Sequence, residues 1–251
     1  MEKTPILVII IPCYNEEATL PCTIKILSAK ILQLITEQKI SPKSSLLFVD
    51  DGSQDNTRHL IENHIKENPG LYRGLKLPKN MGHQNALLSG LVFAKDFCDI
   101  TITIDADLQD DIEAIDKMLE NYSGGCEIVC GVNICRKSDS FLKRTTASLF
   151  YFLVRLINRK IIYNHADFRL MGKNSIITLS DYLAEYKKTN LFLRGIVPHL
   201  GYKIGTVNYK RKKRTAGKTK YSLRKMLRLA YNGFTSCGII YSIVHRRKNE
   251  V

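Results

Sequence analysis

A chain of 251 residues with 44% hydrophobic and 25% charged residues can bury one substantial core, and no break in composition divides it into two independent domains. The informative number is the net charge of +14, and the excess is local: beyond Glu185 no Asp or Glu occurs until Glu250, while Lys and Arg recur, densest in Lys210-Arg211-Lys212-Lys213-Arg214 and on to Arg228. Such a segment calls for an anionic partner, and charge alone admits nucleic acid, an anionic membrane surface or a phosphorylated substrate.

The run Ile6 to Ile11 reads as a buried strand ended by Pro12, followed by Cys13-Tyr14-Asn15-Glu16-Glu17 and a helical pattern to about Ile40. Leu46 to Val49 is a second strand that stops at Asp50-Asp51-Gly52-Ser53-Gln54-Asp55, with helical spacing from Thr57 to Glu67. Leu71 to Leu77 is a weaker strand, and Asn80-Met81-Gly82-His83 leads into an apolar helix from Gln84 to Phe97. A strand beginning at Ile100 ends in Asp105-Ala106-Asp107-Leu108-Gln109-Asp110-Asp111; a helix from Ile112 to Tyr122, a strand from Glu127 to Ile134 and a largely apolar helix from Phe141 to Ile157 follow. This alternation predicts an α/β fold, a mainly parallel sheet with helices on both faces. Later the pattern loosens: Asp167 to Met171 is a short strand or turn, Ser175 to Glu185 a helix, Leu191 to Val197 a short helical piece and Tyr202 to Tyr209 a strand. Leu223 to about Val244 has helical spacing with Arg224, Lys225 and Arg228 opposite its apolar side, either a basic membrane-surface helix or a core-packing one.

Seven cysteines, an odd number, are scattered behind a start that runs at once into a strand pattern, which reads as a chain without a secretory leader in a reducing, cytosolic compartment. Cys126, Cys130 and Cys135 lack CxxC spacing, so zinc is not expected. No stretch reaches the roughly 18 apolar residues of a membrane span.

The chemistry gathers where apolar strands end. Asp105 and Asp107 lie two apart, so in extended geometry both face one side and present hard oxygens to a divalent cation, with Gln109 repeating the spacing. Asp110 or Asp111 is expected to cap the next helix. Tyr14, Asn15 and Glu16 from the first strand end and Asp50 and Asp51 from the second converge on the same sheet edge. No GxGxxG occurs, and Ala216-Gly217-Lys218-Thr219 has Lys212 where a P-loop needs its first glycine, so neither nucleotide signature applies.

Five ordered motifs carry a resemblance: Pro12 to Glu16, Asp50 to Thr57, Asn80 to Ala86, Asp105 to Asp110, and Asp167-Phe168-Arg169-Leu170-Met171. Between about residues 5 and 235 the chain resembles the family-2 inverting glycosyltransferases, most closely the polyprenyl-phosphate branch of bactoprenol glucosyltransferases and dolichol-phosphate mannose synthases. The resemblance implies a GT-A fold that passes a hexose from a nucleotide-diphosphate sugar, UDP-glucose-like, to a lipid phosphate such as undecaprenyl phosphate, serving cell-surface glycan modification. It places Pro12, Tyr14, Glu16, Asp50, Asp51, Asp105 and His83 on the donor. Asp105, Asp107 and Gln109 would hold Mg²⁺ or Mn²⁺. Asp107, Asp167 and Arg169 form the implied catalytic set, with Asp167 either a base or the orienter of Arg169. Arg136, Arg211, Arg214 and Lys220 are the implied grips on donor and acceptor phosphates.

The division expected is a glycosyltransferase domain over residues 1–210 and a basic segment over 211–251 that rests on the inner face of the membrane without spanning it. The chain departs from the family pattern at Asn133, where an arginine is usual, and it stops at Val251 where the bactoprenol branch continues into membrane helices. Rival readings are a transferase with a sugar-hydroxyl acceptor, an inactive membrane-docking relative, and a nucleic-acid binder. The last has no recognition motif, so nucleic acid is not an expected partner; a homo-oligomer is compatible with the sequence.

Overall fold

The computed structural model describes residues 4–134, 165–184 and 192–211. The helices expected over 141–157 and 223–244 lie outside the described residues, as do Arg136, Arg214 and Lys220.

The described chain runs β1 (Leu7–Cys13), α1 (Leu20–Thr36), β2 (Ser45–Asp50), α2 (Thr57–Glu67), β3 (Tyr72–Lys76), α3 (His83–Ala94), β4 (Ile100–Thr103), α4 (Ala114–Ser123), β5 (Ile128–Asn133), β6 (His165–Gly172), α5 (Lys173–Ala184), α6 (Leu193–Ile196), a 3₁₀ turn (Val197–His199) and β7 (Ile204–Tyr209). The strands form one seven-stranded sheet in the order β3-β2-β1-β4-β6-β5-β7. β1 pairs in parallel with β2 and β4, β2 with β3, and β5 with β7, whereas β6 runs antiparallel to both β4 and β5.

Alternate residues of β1 feed two cores. Leu7, Ile9 and Ile11 pack with Leu20, Leu27 and Ile31 of α1 and with Ile115 and Met118 of α4. Val8 and Ile10 pack on the other face with Leu87 and Leu91 of α3, Ile176 and Leu179 of α5, and Leu193 and Ile196 of α6. A strand buried on both sides carries a continuous apolar run, as β1 does. At about 25 cal/mol per Å² of apolar area removed from water, these two layers are the main favourable term holding the sheet.

The topology also positions the site. The chain steps outward from β1 to β2 and β3 and then returns past β1 to β4, so β1 and β4 flank a topological switch point. Pairing of β1 with β4 ends at Ile10–Thr103, while pairing with β2 continues to Cys13–Asp50. The strands therefore part beyond Ile10, opening a crevice between residues 13–16 and 104–110. Pro12 does not end β1 as expected. Ile104 donates its N–H to the carbonyl of Ile10 (3.1 Å), so Pro12, two residues on, faces the side where β4 has already left and no N–H is required.

Candidate functional site

The loops after β1 and β2 are laced together. Asn15 sits at φ 53°; its side-chain oxygen accepts the N–H of Gln54 (2.8 Å), and its own N–H donates to Ser53 Oγ (3.0 Å). The N–H of Glu16 donates to Thr57 Oγ1 (2.8 Å), and that of Asn56 to the Glu17 carboxylate (2.9 Å). Tyr14 and Glu16 remain half-buried at the crevice, and Glu16 accepts a bond from the Thr19 hydroxyl. Pro12 is buried within the strand, so its part is that of framework.

The two acids after β2 are both buried, and both serve backbone. Asp50 Oδ1 accepts the N–H of Ser53 (3.0 Å), the turn-holding role. Asp51 accepts the N–H groups of Met81 (2.6 Å) and Gly82 (3.0 Å), one on each oxygen. Expected on the donor's base or ribose, it fixes the turn that starts α3. Burial raises its pKa against the pull of those two bonds. Gly52 completes this contact. At φ 70° it has a left-handed backbone, and a Cβ there would lie 2.7 Å from backbone atoms of Lys79 and Asn80.

After β4 the chain does not stay extended, so the premise that Asp105, Asp107 and Gln109 share one strand face fails: β4 stops at Thr103, and Leu108 turns at φ 52°. The Gln109 N–H folds back onto Asp107 Oδ1 (3.2 Å), and the Ala106 carbonyl is held by Thr23 Oγ1 of α1 (2.6 Å). Asp105 stays 31% exposed and Asp107 8% by side chain and residue respectively. Among the described residues no three His, Cys, Asp or Glu side chains gather as a metal cage.

Asp110 is not the helix cap it was expected to be. The N-cap of α4 is Glu113, with no side-chain cap bond, and Asp110 is buried, accepting a hydrogen bond from Tyr209 Oη. Burial and the charge of Asp105 push its pKa up to about 6, against the pull of Arg211 and Tyr209. Arg211 stands just past β7, with Nη2 3.3 Å from Asp105 and Nε 3.7 Å from Asp110. Thus one of the expected phosphate grips meets one of the expected metal ligands.

On the α3 side, Asp167 is a hub. Its Oδ1 accepts from Arg169 Nη2 (2.8 Å) and Arg194 Nε (3.1 Å); its Oδ2 accepts from Arg194 Nη2 (2.9 Å) and Gln84 Nε2 (3.0 Å). Burial alone would raise this carboxyl, but Arg194, His83 and Arg169 hold it well below the usual carboxylate range. An acid so held is an anchor for cations and a poor proton acceptor. Gln84 also accepts the N–H of Leu193 (3.0 Å), clasping α6 to α3, and the Asp167 carbonyl takes the hydroxyl of Thr103. His83 joins the two acidic groups, its Nε2 lying 3.5 Å from Asp167 and 3.6 Å from Asp105. Burial would lower this imidazole; the Asp167 bond and the Asp105 charge outweigh it and raise its pKa.

The structure therefore brings Asp105, Asp107, His83, Asp167, Arg169 and Arg211 to one end of the sheet, with Tyr14 and Glu16 across the switch point. Sequence reasoning missed Arg194, Gln84 and Tyr209. A signal existed for Arg194: a cation within the apolar run Phe192-Leu193-Arg194-Gly195-Ile196-Val197 requires a buried counter-charge. Tyr209 and Asp110 are 99 positions apart, and no local pattern connects them.

Among known proteins, the sequence model described as glycosyl transferase family 2 matches residues 8–179. The chain is 50% identical over 238 residues to a Bacillus subtilis protein named uncharacterized glycosyltransferase YkoT, covering 95% of this chain and 69% of that one. It is 35% identical over 229 residues to the prophage bactoprenol glucosyl transferase homolog of Escherichia coli, covering 91% and 71%. In fold it is similar to glucosyl-3-phosphoglycerate synthase from Mycobacterium tuberculosis, solved with Mn²⁺, UDP-glucose and phosphoglyceric acid, at TM-score 0.60 and 16% identity, covering 93% of this chain and 80% of that one. The fold is the GT-A arrangement that the motifs imply. With more than half its length matched, the chain belongs to glycosyl transferase family 2.

Proposed function

We propose that this glycosyltransferase moves a hexose, with inversion, from a nucleotide-diphosphate sugar such as UDP-glucose to a polyprenyl phosphate. The observation that carries this reading is the state of Asp167: the carboxylate nearest the role of base is saturated by two guanidinium groups and an amide. A hydroxyl acceptor needs a base to take its proton. A phosphate monoester, with a second pKa of about 6, arrives already ionised and needs none. Relatives at 34–35% identity named bactoprenol glucosyl transferase, or its homolog, support a lipid carrier.

Tyr14 and Glu16 take the base and ribose, with Pro12, Asp50 and Asp51 holding the loops that present them. Asp105 and Asp107 would hold Mg²⁺ or Mn²⁺. Two carboxylates, Asp105 half-buried and Asp107 buried, fit a cation that completes its shell with substrate phosphates better than a dedicated protein cage. When bound, that ion supplies Lewis-acid stabilisation of charge on the departing diphosphate. The side-chain amide of Gln109 is offered to the same ion. Arg211, beside Asp105, meets the diphosphate, His83 lies between donor and acceptor, and Arg169 faces the acceptor. Arg136, Arg214 and Lys220 remain candidates for the phosphates. No described helix is long and apolar enough to cross a membrane. The basic charge of the segment over 211–251 suits an anionic, cytoplasmic-side membrane surface, where each Lys or Arg contributes roughly 1 kcal/mol.

The test is product partition. Purified chain, labelled UDP- and GDP-sugars, Mn²⁺ and polyprenyl phosphate should give a chloroform-extractable labelled product that vanishes with EDTA and with Asp107→Asn. A water-soluble product made only from a sugar-hydroxyl acceptor would refute the reading.

A further inference from the structure

The Asp167 hub holds one carboxylate against two guanidinium groups, Arg169 from β6 and Arg194 from α6. Arg169 is 2% exposed, and while its Nη2 is bound to Asp167, its Nη1 has no hydrogen-bond partner among the described residues. A buried donor on a charged group left without an acceptor is costly, and native interiors leave few such atoms. Arg169 stands opposite Thr103 in the β4–β6 register, two residues before Asp105, so this orphan lies at the same strand end as the donor acids. Arg194 is reachable, with 29% of its side chain exposed. Its fork is fixed on Asp167 by both Nε and Nη2, which orients the guanidinium plane.

We propose that Arg194 and the orphan Nη1 of Arg169, both aligned by Asp167, form the receptor for the acceptor's phosphate group, and that Arg194 selects an ionised phosphate over a neutral hydroxyl. The inference rests on the transfer reading above and deepens it. Asp167 is then a positioning residue. In the step it serves, a phosphate oxygen forms a bond to the anomeric carbon as the bond from that carbon to the diphosphate oxygen breaks. The electron pair leaves with the diphosphate, and no proton leaves the nucleophile. A guanidinium pair over-balancing one carboxylate attracts the dianion, while an alcohol brings no charge to the receptor and meets an Asp167 carboxylate already bound to both guanidinium groups.

The experiment uses the full chain with a short isoprenyl phosphate, its alcohol, and inorganic phosphate as a binding probe. Arg194→Ala should raise the KM for the isoprenyl phosphate by about tenfold or more, since a hydrogen bond to a charged group is worth about 1.5–3 kcal/mol. The donor KM should stay unchanged, Arg194→Lys should fall between, and added guanidinium ion should restore part of the loss. Independently of turnover, inorganic phosphate should raise the Tm of the wild type and raise that of Arg194→Ala less. An unchanged acceptor KM, or an undiminished phosphate shift, overturns the receptor. If the wild type makes no lipid-linked sugar, the transfer reading fails while the phosphate shift still decides the receptor. If Arg194→Ala does not fold, Arg194→Lys decides: a several-fold rise in acceptor KM at constant donor KM supports the receptor, and no rise overturns it.

Discussion

Replacing Asp167 with Asn changes almost no volume and removes one charge, so it isolates what the carboxylate does. In the native hub both oxygens accept from cations, and the side chains of Asp167 and Arg169 are 8% and 2% exposed. The amide would leave Arg169 charged and buried without its counter-ion, and would point an N–H₂ at guanidinium N–H donors. Breaking a buried pair from one side costs about 3–5 kcal/mol. For a chain of this size each kcal/mol moves Tm by about 2–4 °C, so a fall of roughly 10 °C is expected. Differential scanning calorimetry of wild type, Asp167→Asn and the double variant Asp167→Asn/Arg169→Met measures it, and the double variant should recover part of the loss because the stranded charge is gone. A Tm within about 1 °C of wild type for Asp167→Asn, together with abolished turnover, would refute the anchor assignment and restore the base.

Other consequences follow from particular contacts. Lys30, 3% exposed, binds Asp116 (2.6 Å) and Glu113 (2.9 Å) across α1 and α4, and Lys39 joins Asp116 (2.7 Å). Asp116→Asn should therefore cost about 2–3 kcal/mol, read from urea midpoints. Burial would raise the Asp116 carboxyl, but the bonds from Lys30 and Lys39 outweigh it and depress its pKa. Its stabilising contribution is thus complete above the unfolded value near 4 and lost as pH falls through the lower folded value, so the acid limb of the wild-type stability curve should be steeper than that of Asp116→Asn. Gly52→Ala should destabilise by more than about 1 kcal/mol and weaken UDP binding in a titration, because the left-handed backbone and the 2.7 Å approach to Lys79 and Asn80 allow no Cβ. Tyr209→Phe should cost about 1–3 kcal/mol in thermal melts by leaving buried Asp110 without its hydroxyl donor.

Much of the scaffold was legible because it rests on local pattern. The apolar run from Ile6 to Ile11 lies in β1 from Leu7 onward, and the acids after Ile100 to Thr103 follow a buried central strand at the switch point. What escaped was set by partners remote in sequence. Asp167 to Met171 reads as a short strand or a turn because a charged pair is a poor strand signal; the strand is the outcome, and β6 extends from His165 to Gly172 since Asp167 and Arg169 neutralise each other on one face while Phe168 packs on Tyr209 from the other. Asp110 reads as a cap by propensity and becomes a buried acceptor through Tyr209. The motif at Asp50 to Thr57 reads as ligand-binding, and what the sequence does not show is that much of it laces two loops whose residues are 38 to 41 positions apart.

Delivery of the sugar to a phosphate oxygen, as proposed, leaves a signature in the product. The most direct measurement is ³¹P and ¹³C NMR of the product that the full chain makes from UDP-[¹³C]glucose and polyprenyl phosphate. The expected product is a phosphodiester whose phosphorus couples to the labelled anomeric carbon, with the anomeric configuration inverted relative to the donor. An intact phosphomonoester with the labelled glucose released to water, or a phosphodiester of retained configuration, would contradict it.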